Sequence, residues 1–334
     1  MMDLQEKILE ELRCKKGESV SGAYLARCFG VSRNTVWKAV HALQQQGYKI
    51  GASTNRGYCL LPENDRISAR GISERLCASA SEAEIRVYDC VDSTNAVVRQ
   101  LAEEGAKHGC TVIARKQTAG RGRMGRSFYS PPGGGLYMSV LLRPRFSAEQ
   151  AQMITVAAAA AVACAVQAVC GEEAKIKWVN DVYCRGRKVC GILTEASVSC
   201  ETGGIHYAVL GIGVNILPPQ ELPQELENVV GSLLTETSCA AEVTEALAAE
   251  ILNRFFAYYE TLEEKPFMEE YRRRSFIPGH EINVIRGGLI RPAYAVEIDE
   301  EARLLVRYPD GQTEALACGE VSVRLQEKNS AENA

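Results

Sequence analysis

From Ala151 to Gly171 the chain reads AQMITVAAAAAVACAVQAVCG, without one charged residue. A stretch of this length can cross a bilayer or form a helix buried on every side. Its details favour the second. It is rich in alanine, Gln152 and Gln167 interrupt it, and Ser147-Ala-Glu-Gln150 ahead of it has the spacing of a capping box. A helix buried on all sides and ending near Gly171 is expected, with no membrane partner. Such a helix needs a large core around it. With 334 residues, 46% of them hydrophobic, the chain can build two or three domains.

The net charge of −4 conceals an asymmetry, because residues 1–62 carry nine Lys/Arg against five Asp/Glu. A basic head on an acidic body suits a polyanionic partner for the head. Thirteen scattered cysteines with no C-x-x-C, and four dispersed histidines, supply neither a disulfide framework nor zinc spacing. Reduced thiols in a cytoplasmic protein are expected. The opening MMDLQEKILEELR is charged and amphipathic, unlike a signal peptide.

The head reads as three helices and a hairpin. Leu4, Ile8, Leu9 and Leu12 share one side of the first helix, and the second runs from Ser21 to Phe29 before Gly30. Ser32 is placed to cap the third, RNTVWKAVHALQQQG. Val36, Val40 and Leu43 must face inward there, which turns Asn34, Lys38, His41 and Gln45 outward, with Arg33 at the helix start. Trp37, on the flank, is expected to pack. The segment YKIGASTNRGYCLLP suggests two strands around a loop bearing Arg56, like the wing of a winged helix-turn-helix. A polar helix face after a tight turn can read a major groove, so these residues are candidate DNA contacts. Docking another protein is the alternative.

In the body, EIRVYDC predicts a strand, and Ser93 or Thr94 can cap a helix starting at Asn95. A polar ligand at that helix start is the other reading of the same hydroxyls. CTVIARKQTAGRGRMGRSFYSPPGGGLYMSVLL predicts strand, long loop, strand, with Arg121, Arg123 and Arg126 threaded through glycines. Long loops inside a domain are commonly functional lids, and arginines among glycines have only water to meet unless an anion arrives. AKIKWVNDVYCRGRKVCGILTEASV predicts three strands, with Arg185-Gly186 as a hairpin turn and Lys177 and Lys188 beside Asp181, the one carboxylate expected near these cations. Asp181 is either a turn residue or a magnesium ligand next to phosphate. IHYAVLGIGVNILP is a buried strand in which Asn215 reads as a turn former. No serine–histidine or cysteine–histidine pair accompanies the cations. Joining a carboxylate to a nucleotide α-phosphate needs no protein nucleophile, only two anions held together with their charge neutralised.

The long motifs GRGRMGRSFYSPPGGGLYMS and KWVNDVYCRGRKVCGIL, with DSTN and GIGVNI around them, resemble the bifunctional biotin–protein ligase and biotin operon repressor family. The resemblance covers nearly the whole chain. It implies an α+β multidomain fold: a winged helix-turn-helix over 1–63, a catalytic domain with a mixed β-sheet and helices on one side over 64–275, and a small SH3-like barrel over 276–328. The alternating segments GHEINVI, AYAVEIDEEARLLVRY and GQTEALACGEVSVRL supply strands for the barrel, with turns at 299–301 and 309–311. It also implies residue roles. Ser93, Thr94, Asn95 and Gln117 would bind the ureido ring of biotin and its surroundings. Arg121, Gly122 and Arg123 would lie along biotin and its activated carboxyl, and Lys188 would neutralise the carboxylate and the charge growing at phosphorus. Arg123 and Lys188 would thus be catalytic. Arg126, Phe128, Lys177, Asn180 and Asn215 would contact ATP, and Asp181 would place Mg²⁺. Implied partners are a biotin carboxyl carrier protein, operator DNA and a second copy of the chain once the adenylate is bound. Departures from the family pattern are Met124 for a basic residue, Ser127-Phe128 for a basic residue and tryptophan, and Val179 for proline. Lipoate–protein ligase and a non-catalytic ligand sensor are the competing functions.

Overall fold

A computed structural model describes residues 3–15, 18–45, 48–53, 56–61, 67–144, 151–198, 205–219, 221–227, 229–235, 240–317 and 321–325. Ser147-Ala-Glu-Gln150 lies outside them. The chain divides into two compact units, Met1–Ile67 with Glu236–Glu242, and Ser68–Thr235 with Val243–Ala334.

The first unit holds helices α1 (Leu4–Cys14), α2 (Gly22–Phe29) and α3 (Arg33–Gln45), then strands β1 (Ile50–Ser53) and β2 (Gly57–Leu60), paired antiparallel. The Ser21 hydroxyl accepts from the Tyr24 N–H, and Gly30 ends α2 in the left-handed conformation at φ 66°. Ile8, Leu12, Leu25, Val36, Val40, Leu43 and Leu60 form its core. Arg33, Asn34, Lys38, His41, Gln45 and Arg56 are exposed. Trp37 departs from expectation. It is 52% exposed, and its indole stacks on the His41 ring at 5.4 Å and 4°. One residue on from Val36 is a 100° turn, which carries Trp37 off the buried stripe to its i+4 neighbour.

The second unit opens with α4 (Ala69–Ser73). Its main sheet comprises β3 (Ile85–Tyr88), β4 (Thr111–Ala114), β5 (Gly135–Leu142), β6 (Lys175–Lys177), β7 (Asp181–Cys184), β8 (Arg187–Val198) and β9 (Ile205–Asn215), in spatial order β3-β4-β5-β9-β8-β7-β6. Only β3 and β4 run parallel. Between these strands lie α5 (Thr94–Glu103) and α6 (Ala151–Cys170), and α7 (Ala240–Glu260) and α8 (Met268–Arg274) follow. A second antiparallel sheet holds β10 (Glu281–Arg286), β11 (Leu289–Ile298), β12 (Leu304–Arg307), β13 (Thr313–Leu316) and β14 (Val321–Leu325), in order β13-β12-β11-β10-β14.

Helix α6 is long and apolar enough to cross a membrane, yet Ile154 and Val156 through Ala163 are fully buried within the fold. The Thr155 and Thr194 hydroxyls, 2.7 Å apart, fix α6 on one face of the sheet. Helix α5 occupies the other face, because Asn95 meets Ser139 and β5 residues alternate between faces. The two sheets are tied together where Trp178 Nε1–H donates to the Ala302 carbonyl at 2.9 Å.

His108 gives this unit a pH-dependent element. Its Nδ1 accepts from the Arg143 N–H at 3.1 Å, and its ring stacks on Tyr259 at 5.3 Å. Burial, with the Arg143 charge adding and Glu82 opposing, lowers its pKa below the ordinary 6.5. The neutral ring's contribution to stability is complete above pH 6.5 and is lost as the pH falls below it, since the unfolded chain then takes up the proton first. The expected result is a fall in Tm between about pH 7 and 5 whose slope is reduced in His108→Asn, as thermal denaturation across that range would read.

Candidate adenylation site

The site lies on the α5 face of the main sheet, where three glycines lower the floor. Gly191 and Gly213 pair across β8 and β9, and Gly211 follows on the same face. A Cβ at Gly213 would stand 2.6 Å from the Phe128 ring, and one at Gly211 would stand 2.3 Å from Asn95 Oδ1. The missing side chains let Phe128 and Asn95 lie directly on the backbone of the sheet.

Phe128 belongs to the arginine–glycine loop between β4 and β5. The Phe128 N–H donates to the Gly120 carbonyl at 2.9 Å, and the Gly122 N–H to the Arg126 carbonyl at 2.7 Å. Arg123 Nη1 donates to Asn180 Oδ1 at 3.0 Å, and Asn180 Nδ2 to the Ile192 carbonyl at 2.9 Å. The loop is thus fastened at its base and at Arg123 by the protein's own groups. Arg121 and Arg126 at its rim are exposed. Met124, at φ 55° and ψ 39°, holds a left-handed conformation unusual for a side chain of its kind.

Ser93, Thr94, Asn95, Gln117, Arg121, Gly122, Arg123, Arg126, Phe128, Lys177, Asn180, Asp181 and Lys188 all line one cavity. Asn215 is not among its lining residues; it sits two positions beyond Gly213, at the end of β9. Ser93 takes the N-cap position of α5 but makes no capping bond through its side chain. The Thr94 N–H and hydroxyl turn instead to Gln117 Oε1, at 2.9 and 3.1 Å, and Gln117 Nε2 donates to Ser130 Oγ at 2.8 Å. The cavity therefore has a neutral hydrogen-bonding end and a cationic end.

At the cationic end Lys188 Nζ is 2.7 Å from Asp181 Oδ1. The contact is an ion pair between a partly exposed ammonium and a partly exposed carboxylate. Asp181 is not the sole carboxylate in reach. Glu195 on β8 stands 3.9 Å from Arg121 and accepts from Asn95 Nδ2 at 2.7 Å. Its signal was the period of two along β8, which puts Gly191, Leu193 and Glu195 on one face. Buried Ser139 was also missed; its Oγ lies 2.7 Å from Thr94 Oγ1 and 2.6 Å from Asn95 Oδ1. Cys184 and Cys190, on the neighbouring strands but not in the cavity lining, are poor nucleophiles. Burial pushes Cys184 up to about 11 and Cys190 higher still, so both stay thiols.

Comparison with known proteins identifies the family. Residues 87–215 match the model of the biotin/lipoate A/B protein ligase family, and residues 4–59 match a helix-turn-helix domain. The bifunctional ligase/repressor BirA of Bacillus subtilis strain 168 is 33% identical over 231 residues, 69% of this chain and 70% of that protein. The chain belongs to the biotin/lipoate A/B protein ligase family. The Escherichia coli K12 ligase/repressor BirA is 27% identical and aligns with 93% of this chain and 95% of its own. The biotin protein ligase of Aquifex aeolicus, solved with biotin and ATP, superposes with a TM-score of 0.59 at 27% identity, covering 73% of this chain and 99% of that one. The family match spans β3 to β9, so every residue lining the cavity falls inside it.

Proposed function

We propose that the chain condenses biotin with ATP to biotinyl-5′-AMP, transfers the biotinyl group to a lysine of a biotin carboxyl carrier protein, and represses biotin-synthesis genes through its winged head. The observation that carries the enzymatic reading is the convergence of Arg121, Arg123, Arg126, Lys177 and Lys188 from separate elements onto one cavity with a neutral polar end. Cations there suit a carboxylate meeting a triphosphate. The amide and hydroxyl groups of Thr94, Asn95 and Gln117 suit an uncharged cyclic urea, with Ser93 beside them.

In the first step a biotin carboxylate oxygen attacks the α-phosphorus, the bond to the β-phosphate oxygen breaks, and pyrophosphate leaves. Lys188 and Arg123 hold the two anions at bonding distance and offset the charge that grows at phosphorus. Arg126, Lys177, Phe128 and Asn180 take the nucleotide, and Arg121 and Gly122 cover the acyl phosphate. Asn215, outside the cavity lining but on the same face of β9 as Gly213, is assigned to the nucleotide end. In the second step the carrier lysine amine attacks the acyl carbon, and AMP departs with the bond to its phosphate oxygen broken. Phe128 and the loop shield the mixed anhydride from water in between.

Among the described residues no group of three or more His, Cys, Asp or Glu forms a metal cage. A single carboxylate, Asp181, paired with the Lys188 ammonium and beside the expected phosphates, suits Mg²⁺ that is held mainly by phosphates and water. Bound there, the ion would neutralise phosphate charge.

The exposed face of α3 and Arg56 of the wing supply the surface for operator DNA. A homodimer formed with bound adenylate would present two heads to two half-sites, and the cytoplasm is the compartment this reading requires. Pyrophosphate release with biotin, ATP and magnesium, set against lipoate and octanoate, tests the enzyme. Gel shift on the biotin-synthesis promoter, with and without biotin and ATP, tests the repressor. No release with any of the three acids would refute the ligase reading. Met124→Arg restores a loop cation beside the adenylate. Its expected effect is a roughly two- to fivefold longer half-life of the enzyme-bound adenylate, the scale of an exposed ion pair.

A further inference from the structure

Beneath the neutral end of the cavity the hydrogen bonds admit one direction at Asn95. An ionised Glu195 can only accept, so with its Oε2 2.7 Å from Asn95 Nδ2 it turns the amide nitrogen toward itself. Asn95 Oδ1 then faces Ser139, whose Oγ donates its single proton across Asn95 Oδ1 at 2.6 Å and Thr94 Oγ1 at 2.7 Å. Thr94 gives its own proton to Gln117 Oε1, 3.1 Å away. Arg99 and Arg121 each stand 3.9 Å from Glu195 Oε1, which leaves Oε2 to Asn95. The cavity is thereby offered the second Asn95 N–H as a donor and a remaining lone pair of Thr94 as an acceptor. A group with a carbonyl oxygen beside an N–H matches that pair. An isostere with N–H in place of the oxygen sets donor against donor, which a buried site rejects strongly.

We propose that Glu195 is a positioning residue that sets the donor–acceptor polarity of this end of the cavity, acting through Asn95 and Ser139, and so makes the site select a ureido carbonyl. The proposal rests on the assignment of Thr94 and Asn95 to the ureido ring.

The test uses the full chain and two probes: biotin, and its cyclic guanidino analogue, in which C=NH₂⁺ replaces C=O. The readout is the ratio of kcat/KM for the two probes from pyrophosphate release. In Glu195→Gln the new amide can donate or accept, and Asn95 is free to turn over. The biotin-to-analogue ratio is expected to fall by about tenfold or more, with KM for ATP unchanged. Ser139→Ala removes the donor facing Asn95 Oδ1 while leaving Glu195, Arg99 and Arg121 in place, and lowers the ratio in the same direction. Glu195→Asp, still only an acceptor, keeps the wild-type preference. The proposal is overturned if E195Q and S139A retain the wild-type ratio, or if they lose both probes in equal proportion, as a merely structural role would have it. A wild-type chain that releases no pyrophosphate with biotin overturns the underlying reading, and this proposal with it.

Discussion

Lys188→Ala is expected to lower kcat/KM for adenylate formation by about 10²–10³, the usual loss when one preorganised group facing transition-state charge is removed. Backbone bonds on both sides fix the root of this side chain, since the Lys188 N–H donates to the Val229 carbonyl and its own carbonyl accepts from Gly231. The ammonium is therefore delivered to the cavity by a held strand rather than a loose loop. Its removal has a second consequence, because Asp181, 2.7 Å away in the folded chain, is left as an uncompensated carboxylate facing the phosphates. Lys188→Arg keeps the charge but replaces a compact ammonium with a broad fork, so it restores only part of the rate. Asp181→Asn removes the ion pair without removing the cation and costs less than Lys188→Ala. Both side chains are partly exposed, so the pair contributes little to folding and Tm should change by only a few degrees. Pyrophosphate release and thermal denaturation on the same preparations check both statements. A Lys188→Ala enzyme with wild-type turnover would exclude Lys188 from the chemistry.

What the chain discloses before folding follows from how local each feature is. The turn at Arg185-Gly186 is legible because two successive residues with positive φ, 50° and 73°, leave a local signature. The three helices of the head are legible for the same reason: Ser21, Gly30 and the Val36–Val40–Leu43 stripe each act within a few residues. Glu195 and Ser139 escape this kind of reading. Their roles depend on β5, β9 and β8 lying side by side and on α5 standing over them, an order that alternation along one strand does not contain. Ser139 reads as a small residue in an apolar strand until Asn95, from forty-four positions earlier, arrives against it. Asp181 fails differently. Its position near the cations is readable, but its choice of Lys188 as partner is a matter of 2.7 Å across two strands. Trp37 misleads because apolar character suggests burial, while its place on the wheel gives it to solvent and His41.

The same limit hides a contrast between two glycines on one strand. Gly211 and Gly213 look equivalent in GIGVN, yet alanine at each should produce opposite kinds of damage. At Gly213 the new methyl group meets the Phe128 ring at 2.6 Å. Only side-chain atoms of Phe128 are met, and the ring can swing about its own side-chain bonds while the loop backbone stays fastened, so Tm stays close to wild type. What is lost is the cover of the nucleotide end, and KM for ATP is expected to rise roughly tenfold, about 1.4 kcal/mol of binding. At Gly211 the methyl group meets Asn95 Oδ1 at 2.3 Å. Asn95 is 4% exposed and fastened to Glu195 and Ser139 at the start of α5, so it cannot step aside without moving the helix. Overpacking of this kind costs about 1–3 kcal/mol, which for a unit of this size lowers Tm by roughly 2–10 °C. It also displaces a group at the biotin end, so KM for biotin should rise with KM for ATP little changed. Measuring both Michaelis constants and Tm for the two variants separates the outcomes. If both glycines raised the same Michaelis constant, the division of the cavity into a urea end and a nucleotide end would not stand, because it requires Phe128 and Asn95 to serve different halves of the ligand.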